Sequence, residues 1–204
     1  MIDKWKKISV KESLSARLLL FTIFFVLLAE IVIYVPSIAN FRETWIEQKL
    51  SEANIAILVV EAAPDYMVSR MLADELLANT ENYSIVRKVD EEHQQALMPV
   101  EPYKVAKRFD MRNLSWIQSV KDTFSALGNM QRTNYLIEAT GDAAGDEYRE
   151  ISIVFDEALL CQDMYDYSLN IAILTAVISF LVAMLLYYNL STLLVLPVKT
   201  LPEN

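Results

Sequence analysis

One cysteine, one histidine and three glycines are all that 204 residues hold of these types, and each scarcity excludes something. Cys161 alone cannot close a disulfide within the chain, and together with His93 it cannot supply the four ligands that a zinc site usually needs. Redox compartment is therefore not legible from cysteine usage. The sequence has no phosphate-binding loop, dinucleotide fingerprint, nucleophile elbow or zinc-protease helix. It has no internal repeat and no low-complexity tract either. His93 stands in the polar run Asp90-Glu91-Glu92-His93-Gln94-Gln95 and reads as an exposed loop residue, while Cys161 reads as a buried structural thiol.

What the chain has in plenty is apolar residues, 54% of the total, and they concentrate in two blocks. Leu14 to Val35 carries only Arg17 and Glu30 as charges, and Ser168 to Leu196 is followed at once by Pro197-Val198-Lys199-Thr200-Leu201. A helix of about 20 residues crosses the roughly 30 Å hydrocarbon core of a bilayer, so both blocks are expected to be transmembrane helices. The remaining length leaves room for one further domain of ordinary size. Glu30 lies deep in the first block, where an ionised carboxylate needs either the outer headgroups or a partner helix. A cleaved signal peptide is the competing reading, since Ser37-Ile38-Ala39 has the small-x-small form of a cleavage site. The apolar run exceeds the usual length of a signal-peptide core, which favours a retained anchor.

The formal charge of -9 is unevenly spread. Residues 1 to 17 carry Lys4, Lys6, Lys7, Lys11 and Arg17 against Asp3 and Glu12, a net of +3. Between Pro36 and Tyr167 there are 12 Lys and Arg against 23 Asp and Glu, a net of -11, which argues against nucleic acid as a partner. Basic residues before the first span and acidic ones after it place the amino terminus in the cytoplasm and the middle domain outside. The expected layout is a cytoplasmic basic tail (1–13), a first span (14–35), an extracytoplasmic domain (36–167), a second span (168–196) and a short cytoplasmic remainder (197–204).

Within the middle domain, helical spacing runs from Ser37 to Ala63. Ile46, Leu50, Ala53, Ile57 and Val60 form one stripe and Ile38, Phe41 and Trp45 a second, with Arg42, Glu43, Glu47, Lys49 and Glu52 largely off both. The two stripes are either one wide core face or one face for the domain and one for a second subunit. Pro36 is expected to kink this helix. A second helix starts at Pro64-Asp65, with Val68, Met71, Leu72 and Leu76 on its inner face, and ends near Asn79. Tyr83, Ile85 and Val89 alternate as a strand does, and Val105, Phe109 and Met111 suggest another. Ser115-Trp116-Ile117-Gln118 fits a capping box that opens a helix with Ile117, Val120, Phe124 and Leu127 on one face, ending at Gly128-Asn129. Thr133 to Thr140 and Glu147 to Phe155 read as an antiparallel hairpin whose loop holds Gly141 and Gly145. Asp156 caps a last helix that runs into the membrane without a turn residue. The fold class expected is α+β: two transmembrane helices flanking an extracytoplasmic PAS-like mixed α/β sensor domain with a long N-terminal helix, its helices on one side of a mostly antiparallel sheet.

Two charge clusters are candidates for ligand recognition. Lys104, Lys107, Arg108 and Arg112 suit an anionic solute. Asp90, Glu91 and Glu92, or the membrane-proximal Asp156, Glu157, Asp163 and Asp166, suit a divalent cation or a cationic peptide, against the plainer reading of solvated faces. No catalytic residue and no cofactor is expected in this chain. Leu160, Met164, Tyr167, Ile171 and Leu174 line one face of the exit helix and, with Pro197, are the candidates for signal transmission.

Ala29 to Leu50 (AEIVIYVPSIANFRETWIEQKL), Glu61 to Leu77 (EAAPDYMVSRMLADELL) and Tyr167 to Phe180 (YSLNIAILTAVISF) resemble the amino-terminal half of alphaproteobacterial two-component sensor histidine kinases. Pro197 and Leu201 resemble the proline-x-x-x-leucine opening of a HAMP linker, although Leu196 stands where this group has arginine and Pro202 would disturb a continuing helix. The resemblance implies a homodimer in the lipid of a bacterial inner membrane that receives an extracytoplasmic ligand through a periplasmic sensor domain. It also implies that ATP, Mg and the cognate response regulator belong to domains outside these residues, because no phosphoacceptor histidine or ATP-binding motif is present. A membrane-anchored interaction protein and a chemoreceptor-type fragment are the alternatives.

Overall fold

A computed structural model describes residues 14–63, 68–88, 94–128, 135–143 and 150–190. Among them are four α-helices and five strands, an α+β protein: α1 (Leu14–Glu61), α2 (Arg70–Asn79), β1 (Ser84–Lys88), β2 (Gln94–Leu97), β3 (Lys107–Asp110), α3 (Trp116–Gly128), β4 (Leu136–Asp142), β5 (Glu150–Asp156) and α4 (Glu157–Leu190). The chain divides into two units, Met1–Val35 with Leu169–Asn204, and Pro36–Ser168. Two helices, α1 and α4, are long and apolar enough to cross a membrane. In the first unit the α1 positions Thr22, Val26, Glu30 and Tyr34, four apart, are half-shielded, while Phe21, Phe24, Phe25 and Ile31 are exposed. Glu30 thus lies on the more shielded side of its helix. Among the described residues of α4 from Leu169 onward, the half-shielded positions are Ile171, Ala172, Thr175, Ser179 and Ala183.

The sheet of the second unit has the order β2-β1-β5-β4-β3. All neighbours are antiparallel except β3 and β4, which run parallel because α3 carries the chain back between them. The registers set Ile85 beside Leu97 and Ile153, Ala139 beside Ile153 and Phe109, and Phe155 beside Ile137. Directly paired residues share a face, so one side of the sheet is a continuous buried layer of Leu97, Ile85, Ile151, Ile153, Phe155, Ile137, Ala139 and Phe109. The opposite face is mostly polar, with Arg108 on Glu138, Lys88 on Glu150 and a Thr140–Ser152 hydroxyl pair at 3.0 Å. Helices on one side and water on the other follow from that alternation.

α1 covers the apolar face. Ile46, Leu50, Ala53, Ile57 and Val60 are buried as their spacing predicts. The second stripe packs within the same chain: Phe41 stacks on Tyr167 of α4 at 4.2 Å, and Trp45 lies against Phe155 and donates to Asp163 at 2.7 Å. The two stripes are therefore one wide core face. Helix α1 continues through Pro36. Arg42, expected off the stripes, is buried to 1% exposure, its guanidinium 4.4 Å from the centre of the Phe109 ring. It stands four residues before Ile46 and so continues the buried stripe, with desolvation as the cost. Burial lowers its pKa, opposed by Asp122 and Glu157.

Three expectations need correction. The residues proposed to start α2, Pro64 and Asp65, lie outside the described residues; α2 begins at Arg70, where Ser69 accepts the Leu72 amide at 3.3 Å. Its Met71 and Leu72 are exposed and Leu77 is the buried residue. On α3, Ile117 and Phe124 are likewise exposed, and Ser119, Thr123 and Ala126 are the buried residues. Cys161 of α4 donates to the Ala126 carbonyl on this face at 3.5 Å. Gly141 belongs to β4, not to a loop.

Candidate functional site

A groove of about 270 Å³ opens at the end of β4, lined by Glu47, Leu50 and Ser51 of α1, by Met111 and Arg112 of the 3-10 turn after β3, and by Gly141 and Asp142. Gly141 lets the helix approach: a Cβ there would meet the Leu50 Cδ1 at 2.8 Å. The turn is fixed by Asp110, whose side chain accepts the Arg112 amide at 3.0 Å. The same carboxylate takes Arg112 Nε at 2.9 Å and Nη2 at 3.0 Å, a fork-shaped pair that holds the Asp110 carboxyl below its ordinary pKa and raises that of Arg112. Glu150 lies 3.7 Å from Arg112 Nη1. Arg112, the one cation among the described lining residues, is thus already paired with carboxylates.

Of the four cations proposed to hold an anion, only Arg112 lines this groove. Lys107 pairs with Asp122 at 2.7 Å and Arg108 with Glu138 at 2.8 Å, on opposite faces of the edge strand, and Lys104 is exposed before it. Alternation along β3 separates them, so the basic run is not a basic pocket. The membrane-proximal acids also serve separate ends. Asp156 caps α4 by accepting the Ala158 amide at 3.0 Å, Glu157 is buried, Asp163 holds Trp45 and Asp166 is exposed. Among the described residues no group of three His, Cys, Asp or Glu is placed to hold a metal ion. Asp90, Glu91, Glu92 and His93 lie outside the described residues.

Along α4, Leu160 and Met164 are fully buried, and Tyr167 stacks on Phe41 and shares a 2.9 Å hydrogen bond with Ser37. Ile171 is half-shielded, but Leu174 is 54% exposed, so the inner face turns instead through Ala172 and Thr175. Pro197 lies outside the described residues.

Sequence reasoning missed the groove residues Glu47, Leu50, Ser51, Met111, Gly141 and Asp142 as a set, since they come from three separated segments. It also missed a polar cluster at the far end of α1. There the buried Arg87 is paired with Glu61, Arg87 donates to Asn54 at 3.3 Å and Gln95 donates to Glu61 at 3.4 Å. Strand alternation could have flagged Arg87, which shares the inner face with Ile85. No protein-family model matches the sequence, and no curated protein or solved structure does either.

Proposed function

We propose that this chain is the input and transmission half of a transmembrane sensor histidine kinase. Its middle domain is a PAS-like sensor outside the cytoplasm of a bacterial inner membrane, and its cytoplasmic output lies in domains beyond these residues. One observation carries the reading: a one-sided α+β sheet begins and ends on the two helices that are long and apolar enough to cross a membrane. The basic amino terminus and acidic middle support the orientation. The Asp156-capped α4 supports transmission, since it runs from the end of β5 to Leu190 with no break. The groove beside α1 is the proposed place of the solute, which would act by binding one position of the helix more tightly than another. Residues of α1 on one wall and of β4 on the other make the groove sensitive to the position of the helix.

The test fuses the chain to a cytoplasmic histidine kinase module and inserts flexible glycines between Tyr165 and Leu169. The insertion is expected to leave membrane insertion intact and to abolish any solute response. An unchanged response, or a cytoplasmic signal from a topology reporter fused at Gly141, would overturn the reading.

A further inference from the structure

We propose that Asp122 is a switching carboxylate: it exchanges between two cations, Lys107 of the edge strand and the buried Arg42 of α1, and so moves the attachment of α3 from β3 to α1. In this structure the outer pair is closed, with Lys107 Nζ donating to Asp122 Oδ1 at 2.7 Å. The inner pair is open, and both of its ends are left unsatisfied. Arg42 is fully buried, and its Nε and Nη1 have no hydrogen-bond partner among the described residues; neither has the second carboxylate oxygen, the buried Asp122 Oδ2. A guanidinium held away from water without its hydrogen bonds is costly, and native proteins leave few such groups. Here the unused donors and the unused acceptor are complementary, and they act on each other. Asp122 is the group that most favours the charged form of Arg42, ahead of Glu157, Glu43 and Cys161, against the burial that disfavours it. Phe109 gathers the two cations, with Arg42 Cζ and Lys107 Nζ each 4.4 Å from the centre of its ring. Opening the outer pair costs little, because the Lys107 side chain is 39% exposed and water replaces its partner. Closing the inner pair satisfies Arg42 where water does not reach. Each arrangement ties α3 to a different element, and α1 is one of the two helices long and apolar enough to cross a membrane.

The Nε–Hε resonance of Arg42 reports the exchange, followed by NMR of the full chain labelled with nitrogen-15 arginine in detergent micelles and assigned by its contact with the Phe109 ring protons. Lys107→Met frees Asp122 and is expected to move this resonance downfield and to slow its exchange with solvent by about tenfold. Raising the salt from about 0.01 M to about 1 M is expected to move it in the same direction, since screening weakens the exposed outer pair more than a buried one. In an Asp122→Ala background neither change is expected to move it. Lys121→Met removes the same charge from the neighbouring exposed position of α3 and is expected to leave it in place. A resonance that stays put in Lys107→Met and at high salt would overturn the proposal, by showing a fixed Arg42 satisfied by bound water. Equal movement in Lys121→Met, or movement that persists without Asp122, would also overturn it, by showing a general field effect. The salt titration needs no variant, so the proposal can fail even where Lys107→Met does not fold. The exchange does not rest on the sensor reading, and the kinase fusion keeps the two apart. A resonance that moves while kinase output stays constant removes the exchange from transmission and leaves the switch itself; a solute response that survives Asp122→Ala does the same.

Discussion

At the scale of single residues, buried polar groups and one glycine set the shape of the domain. Gly141 is the point where α1 and β4 approach closest, and the Leu50 Cδ1 occupies the space of its missing side chain. Gly141→Val is expected to destabilise the protein by about 1–3 kcal/mol through overpacking. Pairing it with Leu50→Ala should recover part of that loss, a coupling read from a double-mutant cycle of thermal unfolding in detergent. Cys161 gives a pH signature. Burial, aided by Glu157, pushes its thiol from about 9 up to about 11. The folded state therefore keeps a proton that the unfolded state gives up. The associated stability is complete below about pH 9 and disappears as the pH approaches 11, a change of at most about 3 kcal/mol. Cys161→Ala is expected to flatten the fall in unfolding temperature over that window.

At the scale of elements, α3 shows why amphipathic spacing misassigned a face. Ile117, Val120, Phe124 and Leu127 make the more apolar stripe, yet the helix turns Ser119, Thr123 and Ala126 inward. This face meets Cys161 of α4 at the Ala126 carbonyl, and Asp122 of the same helix acts on the buried Arg42. The hydroxyls of Ser119 and Thr123 have no hydrogen-bond partner among the described residues. An unpaired buried hydroxyl costs about 1–3 kcal/mol, so Thr123→Val, which keeps the shape, is expected to stabilise the protein by about 1 kcal/mol in chemical denaturation. Arg42 is a parallel case, a charge that hid a position that spacing alone places in the core. At the end of α2 the non-glycine Glu81 adopts φ 54 and pairs with Lys49 of α1 at 2.7 Å, a turn legible only once α1 is in place.

At the scale of the whole molecule, the outer side of α1 carries a stripe at heptad-like spacing. It passes through Thr44, Gln48 and Ser51 to Ile55, Leu58 and Ala62, with Ile55 61% and Leu58 47% exposed. Since both inner stripes of α1 are used within the chain, the proposed homodimer has this remaining side available. In a Cys161→Ala background, Leu58→Cys is expected to give a disulfide-linked dimer on mild oxidation of membranes, and Glu101→Cys is not; gel mobility checks it.

The amino-acid sequence by itself determined the two long apolar helices, the buried stripe of α1, the β4–β5 hairpin and the Asp156 cap. Each is a local pattern whose period or chemistry needs no distant partner. Tertiary structure alone decided which faces of α2 and α3 are inside, because burial depends on the size of the gap that other elements leave. It also dispersed the basic cluster, since alternation along an edge strand sends neighbouring cations to opposite faces and nearby carboxylates pair with them. The groove is the clearest case of that division. Its walls come from the middle of a helix, a turn after one strand and the end of another, and only the register that sets Gly141 beside Ile151 and beneath Leu50 brings them together.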